Sequence, residues 1–429
     1  MRFLYTLTVL LFSIPATAQL AIGSVEELLQ YADKNSPAAR QAQLQPLIAK
    51  QDKRVVASAL YPRVNAFATG DYYPILATQL IPAEALGGTP GTYLKAQFGL
   101  PYVFVTGAEL NFPIVSLENW AKLSKAKAQY EQSEWSSKVA LENLHLQLVQ
   151  GYYQALVTKE VLKLNEENES TADELLRIMT ERDEQGVVDP ADYNRSKTLS
   201  LDVKTTRIGY TQALRQSINN LDAILAVDTI MLNGELGDFN WPVMYEAASI
   251  NNRPAWQEAS LKVRAAELSL RQARSAGLPE LSLASRYTYN MQTNFEPGFD
   301  NIDFNIASIG VKLNVPLFQG NYYRSMKHKS RLQLENARLE QERTEATLQQ
   351  QHRDWLSQYN AAFTKHKVLE DKVNTAKDNL RIAKLNTKEG VMEFDQFYNI
   401  FMDYNRARME YLQNLADGIL YHLLSTQNF

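Results

Sequence analysis

The 429-residue chain contains no cysteine. Disulfide frameworks, thiolate metal sites and a lipid-bearing cysteine are thereby excluded. Proline is missing from two long stretches: none lies between Pro113 and Pro190, and none follows Pro316. Because proline breaks helix interiors, both gaps permit very long helices. Excess positive charge is missing too. Lys and Arg number 44 against 48 Asp and Glu, a formal charge of −4, which excludes a general nucleic-acid binder. After the N-terminal segment no stretch approaches 18 consecutive apolar residues, so a mature chain that spans a membrane must do so as a closed β-barrel. The five histidines, His145, His328, His352, His366 and His422, make no His-Glu-x-x-His arrangement. Phosphate-binding Gly-x-x-x-x-Gly-Lys-Ser/Thr and nucleophile-bearing Gly-x-Ser-x-Gly patterns are also absent. No enzymatic chemistry, metal or cofactor is expected.

What is present begins with an address. Arg2, an apolar run over 3–14 and Ala16-Thr17-Ala18 have the order of a secretory signal, 1–18, cut to leave Gln19. The run is too short for an uncleaved anchor, which must cross about 30 Å of hydrocarbon. An exported, cysteine-free, mildly acidic chain fits the periplasm or the outer membrane.

The mature chain says the same thing twice. Asn35-Ser36-Pro37 returns as Asn252-Arg253-Pro254, and Tyr61-Pro62 as Leu278-Pro279, both at an offset of 217. Asn111-Phe112-Pro113 returns as Asn314-Val315-Pro316 at 203, and Gly186-Val187-Val188 as Gly390-Val391-Met392 at 204. A first repeat over 19–227 with a β-hairpin in 60–113, a linker over 228–249 and a second repeat over 250–429 with a hairpin in 277–316 follow from this.

Residues 116–182 and 321–388 are proline-free and predict helices of about 100 Å. Leu141, Leu144, Leu148, Gly151 and Ala155 step by three and four, as do Leu214, Ile218, Leu221 and Leu225, the seam of helices packed side by side. A two-stranded coiled coil would show the same stepping. A shorter helix is expected over 24–59, with Ser24 and Glu27 as a capping box and a restart at Pro37; its counterpart is 254–276. Gly186 and Gly390 mark turns into returning helices. The first return starts with Asp189-Pro190 as cap and first residue, the second near Asp395.

Between Pro279 and Pro316 the period falls to two. Leu281, Leu283, Tyr287, Tyr289 and Met291 alternate with polar residues, then a turn over 294–301 leads to a return strand. Its apolar parity slips near Ala307-Ser308, the mark of a bulge or of departure from lipid. In the first copy Leu100, Tyr102, Phe104, Ala108, Leu110 and Phe112 form the apolar face, and an insertion over 73–99, rich in proline and glycine, reads as a loop. Pro62, Pro113, Pro279 and Pro316 mark the helix–strand junctions. Four strands cannot close a barrel, and open edges are not tolerated in lipid. Strands from two chains would make eight, and from three, twelve. A soluble four-stranded cap on the helices is the competing reading.

In order, spacing and repetition these features resemble the TolC-like outer-membrane efflux protein family over nearly the whole mature chain. The duplicated Asn-x-Pro starts, the Tyr61-Pro62 and Leu278-Pro279 junctions, Pro316-Leu317-Phe318-Gln319-Gly320, Gly151-Tyr152-Tyr153-Gln154-Ala155-Leu156 and the two glycine turns carry the resemblance. It implies a mixed α/β membrane protein, mostly α: a duplicated long-helix coiled coil, or α-barrel, with four β-strands per chain in a trimeric twelve-stranded transmembrane barrel. It implies a homotrimer in outer-membrane lipid, docked to a periplasmic adaptor (membrane fusion) protein and an inner-membrane RND, ABC or MFS transporter. Such a protein is a passive duct for efflux or type I secretion. The resemblance further implies that the glycine turns face the periplasmic entrance, where Asp189, Asp192, Glu389, Glu393 and Asp395 would form a charge-selecting ring. The chain departs from the family there. An aspartate six residues after the glycine is present as Asp192 but is Gln396 in the second copy, and a tyrosine three before the second glycine is Thr387. From the residues alone, a soluble periplasmic coiled-coil scaffold with a small β cap is the alternative.

Overall fold

The computed structural model describes residues 20–237, 239–243, 250–297 and 301–426. The export segment 1–18, Gly298 of the expected turn, and residues 238 and 244–249 of the linker lie outside the described residues.

Strand β1 (Leu20–Ile22) leads into helix α1 (Val25–Asn35). The Ser24 hydroxyl accepts a hydrogen bond from the Glu27 N–H at 3.2 Å, as a cap should. The returning half of the expected box lies one residue upstream: the Glu27 carboxylate accepts from the Gly23 N–H at 2.8 Å. Ser36, held extended by the proline after it, separates α1 from α2 (Pro37–Ser58). The restart expected at Pro37 thus divides the 24–59 segment into two helices. Pro46 lies inside α2 without ending it.

Strand β2 (Arg63–Tyr72) follows, then a correction to the sequence reading. The segment read as a loop holds β3 (Thr78–Pro82) and β4 (Tyr93–Gln97), which pair antiparallel from Thr78↔Gln97 to Pro82↔Tyr93. Next come β5 (Tyr102–Val115), helix α3 (Leu117–Glu184), helix α4 (Pro190–Leu225) and β6 (Ile230–Leu232). The second half supplies α5 (Pro254–Ser275), β7 (Glu280–Thr293), β8 (Ile302–Asn314), α6 (Tyr322–Glu389) and α7 (Phe394–Thr426). Helices α3 and α6 are both 68 residues long, as the matched proline gaps require. Among the described residues no helix is long and apolar enough to cross a membrane.

Two compact units result, each drawing on both halves of the chain. Segments Pro46–Ser133 and Ala259–Gln341 form one of them. Its four-stranded antiparallel sheet has the order β2-β5-β7-β8. Successive side chains on a strand point to opposite faces, so the register sorts the residues. One face carries Val64 and Ala66, Ala108, Leu110 and Phe112, Leu281, Leu283, Tyr287 and Tyr289, then Ile309, Val311 and Leu313. The other carries Asn65, Glu109, Asn111, Arg286 and Lys312 in the half nearer the helices, and in the farther half Asp71, Asn290 and Gln292 mixed with Phe67, Val103, Val105, Ile302, Phe304 and Ile306. The apolar face is exposed along both outer strands and at Tyr287. Pairing of β7 with β8 runs unbroken from Glu280↔Asn314 to Gln292↔Ile302. The parity slip near Ala307-Ser308 is therefore no bulge; Phe304 and Ile306 simply lie on the face opposite Ile309. The irregularity falls instead between Pro113 and Val115, where proline cannot donate to the ladder.

The other unit holds Glu134–Glu258, the chain up to Gln45 and the chain from Glu342 on. Strand β1 pairs parallel with β6. Around this pair Leu144, Leu148, Ala155, Leu221 and Leu225 are buried together with Leu28 and Ile230, so the predicted three–four seams do meet. At Gly151 an added Cβ would lie 2.9 Å from Leu221 Cδ2; the glycine lets α3 and α4 approach. A second core joins Leu175, Met179 and Leu199 to Ala383, Phe397 and Phe401. Part of the linker is strapped down: Trp241 lies 4.6 Å from the His366 ring, and the Tyr359 hydroxyl donates to the Pro242 carbonyl at 2.6 Å.

Leu148→Ala should cost about 2–5 kcal/mol through a buried cavity. Leu201→Ala, at a side chain 57% exposed, should cost under about 0.5 kcal/mol. Urea denaturation midpoints check this; equal shifts would show that the seam is not a packed core.

Candidate functional site: the paired helical turns

Both returning hairpins reverse through the same backbone device. Gly186 has φ +69° and Gly390 φ +80°, the left-handed region that favours glycine. The Gly186 N–H donates to the Asp183 carbonyl and the Val187 N–H to Arg182, at 2.9 and 3.0 Å. The Gly390 N–H donates likewise to Thr387 and the Val391 N–H to Asn386, at 3.2 and 2.9 Å. These are paired six-to-one and five-to-two closures that satisfy the last helix carbonyls. The turns differ in one respect. A Cβ on Gly186 meets open space, whereas on Gly390 it would meet the Arg182 guanidinium.

The five acids named from sequence fall into three situations. Asp189 caps α4, its Oδ1 accepting from the Ala191 N–H at 2.8 Å. Asp192 and Asp395 are brought together by a residue that sequence reasoning missed. Arg195 Nη1 donates to both carboxylate oxygens of Asp395, at 2.8 and 2.9 Å, and stands 3.5 Å from Asp192. The three-residue spacing of Asp192 and Arg195 was a visible signal; the bridge to a residue 200 positions away was not. Glu389 and Glu393 are exposed and form no ion pair among the described residues. Of the junction prolines, Pro62, Pro279 and Pro316 lie in the connecting segments, while Pro113 is inside β5, correcting its reading as a junction.

Just behind the turns the packing becomes polar. Thr387 is 1% exposed, and its hydroxyl has no partner among the described residues. Lys384 Nζ donates to the Thr171 hydroxyl at 2.8 Å. Asp173 accepts from the Ser200 hydroxyl at 2.6 Å and pairs with Lys204 at 3.0 Å. The Ser200 hydrogen bond first, then Lys204, holds the Asp173 carboxyl below the ordinary carboxylate range. These groups tie α3 to α4 and α6. They offer exposed charge and helix-to-helix pairing.

A family model described as outer membrane efflux protein matches residues 28–227 and 247–417. The toluene efflux pump outer membrane protein TtgC and the antibiotic efflux pump outer membrane protein ArpC, both of Pseudomonas putida, are each 22% identical over 390 residues. Those alignments cover 86% of this chain and 75% of each relative. Among solved structures, the CmeC outer membrane channel of Campylobacter jejuni has the same fold, with a TM-score of 0.76 at 16% identity over 94% of this chain and 85% of that one. The open-state MtrE outer membrane channel of Neisseria gonorrhoeae gives 0.72 at 16%, over 92% and 88%.

Gly186→Ala should cost about 1–2 kcal/mol for the left-handed backbone, and Gly390→Ala more, because Arg182 must also withdraw; thermal melts of the two variants check the order. A double-mutant cycle on Arg195→Gln and Asp395→Asn should give a coupling of about 0.2–1 kcal/mol, as for an exposed pair, shrinking in high salt. A coupling of zero at low salt would remove the bridge.

Proposed function

The chain belongs to the outer membrane efflux protein family, and from that premise we propose that it is the passive outer-membrane duct of a tripartite efflux or type I secretion system. One observation carries this reading: a four-stranded sheet whose half nearer the helices has one apolar face and one polar face, and whose two outer strands are unpaired. A lipid-facing apolar band with a polar interior is the pattern of a transmembrane barrel. Three copies joined β8 to β2 give twelve strands in antiparallel alternation, and every backbone edge disappears. The long helices form the periplasmic extension that meets an adaptor protein, and an inner-membrane RND, ABC or MFS transporter supplies the energy. Two relatives are named for the efflux of toluene and of antibiotics, so small organic compounds are the first cargo to test.

The two glycine turns form the periplasmic entrance in this reading. Asp189, Asp192, Glu389, Glu393 and Asp395 set its negative charge, and Arg195 pins α4 to α7 while offsetting part of that charge. Opening separates Arg195 from Asp395; the duct itself performs no chemistry.

Cross-linking of outer-membrane fractions should trap a trimer, and a water-soluble monomer or dimer would defeat the proposal. In planar bilayers, Asp192→Ala with Asp395→Ala should lower cation selectivity several-fold, and Arg195→Ala should raise conductance. Unchanged selectivity in the first variant would remove the acidic ring.

A further inference from the structure

Within the sheet-bearing unit, helices α3, α5 and α6 enclose an open cavity of about 1490 Å³. Its lining collects Lys125 from α3, Lys262 from α5, and Arg324, Lys327, Lys329 and Arg331 from α6, with His328 among them. One carboxylate, Glu340, is part of the same wall. Six permanent cations therefore converge in a chain whose total charge is −4. Elsewhere on α6 several basic residues are answered by a carboxylate: Lys367 by Glu370 and Asp371, Lys372 by Glu410 and Arg338 by Glu267. Here five cations stand together without such a partner. Lys125, Arg324, Lys327, Lys329 and Arg331 form no ion pair among the described residues, although Glu335 stands one helical turn beyond Arg331. Residues 321–331 contain no acid at all.

Unanswered cations around a concavity raise the local potential and concentrate anions. Lysine ammonium groups and planar arginine forks suit phosphate-type oxyanions, which accept several charge-assisted hydrogen bonds at once. Asn321, Gln333 and Asn336 add neutral donors to the wall. A monocarboxylate would leave most of these cations uncompensated, so the charge balance favours a multivalent oxyanion. The cavity also lies a few residues beyond an interfacial sequence. Leu317 and Phe318 are 92% and 84% exposed, and Tyr322 and Tyr323 follow with rings 5.4 Å apart. Apolar, then aromatic, then cationic is the order met on leaving a bilayer.

We propose that this cavity is a binding site for phosphate-type oxyanions, supplied either by a lipid headgroup or by a soluble phosphorylated compound. The site is independent of the entrance turns and of which pump the duct serves.

The test uses the full-length chain purified in detergent. Titration with inorganic pyrophosphate by calorimetry reads the soluble source. Native mass spectrometry comparing phosphatidylglycerol with phosphatidylcholine retention reads the lipid source. Combined Arg324→Gln, Lys327→Gln and Arg331→Gln should weaken pyrophosphate binding at least tenfold, or abolish the preference for phosphatidylglycerol. Lys50→Gln with Lys95→Gln, exposed and outside the cavity, should change either reading less than twofold. Glu340→Gln should tighten binding about twofold, a gain that misfolding would not produce. Pyrophosphate binding alone assigns a soluble ligand, and phosphatidylglycerol preference alone assigns a lipid. Absence of both in the unaltered protein, or equal losses in the triple and control variants, overturns the site.

Discussion

Strands β2 and β8 each turn a row of N–H and C=O groups away from the four-stranded sheet. In water such edges are solvated, whereas in hydrocarbon every unsatisfied group costs several kcal/mol. That single constraint orders the other features. In the half of the sheet nearer the helices an apolar face shared by all four strands makes lipid a favourable neighbour on one side, and the polar residues opposite suit a wet interior. Neither face removes the edges. Only further strands do, and the strand directions in this chain allow β8 of one copy to meet β2 of the next antiparallel. For the proposed duct, membrane residence and assembly are thus one problem with one solution.

The helices answer a different demand. At 68 residues, α3 and α6 are far longer than most helices in globular proteins, and their stability comes from side-by-side packing. The seams supply it at two places, around Leu148 and Leu221 and again around Met179 and Phe401. Glycine acts in two distinct ways along them. At Gly151 a missing side chain brings two helices together, and at Gly186 and Gly390 a left-handed backbone reverses the chain.

Charge is handled unevenly along the molecule. Near the turns, acids and bases of both hairpins meet through Arg195 and Asp395, and the polar pairs behind them join neighbouring helices. On the first turns of α6 cations gather with little opposition. An exposed ion pair is worth little in stability, so a bridge such as Arg195–Asp395 can part without unfolding either hairpin. A cavity where five cations lack an ion-pair partner among the described residues, by contrast, has electrostatic energy to give to a ligand.

Much of the architecture was written in local residue patterns. Proline gaps bounded α3 and α6 to within two residues, glycines located both turns, and period-two alternation marked β5, β7 and β8. These features are local because helix breaking, left-handed backbone and side-chain alternation depend on neighbouring residues. Composition misled at β3 and β4, where prolines and glycines around two five-residue strands masked the cross-strand pairing that makes them. The parity slip in β8 was visible but its meaning was not, since only the register with β7 shows an unbroken ladder. The acids at the turns could be named from sequence, yet their pairing could not: Arg195 meets Asp395 across two helices distant in the chain. The same holds for the cationic cavity, four of whose cations lie in a basic run on α6 while α3 and α5 contribute one each. Contacts of that kind depend on where packed helices bring side chains in space, and no short-range pattern of residues encodes that distance.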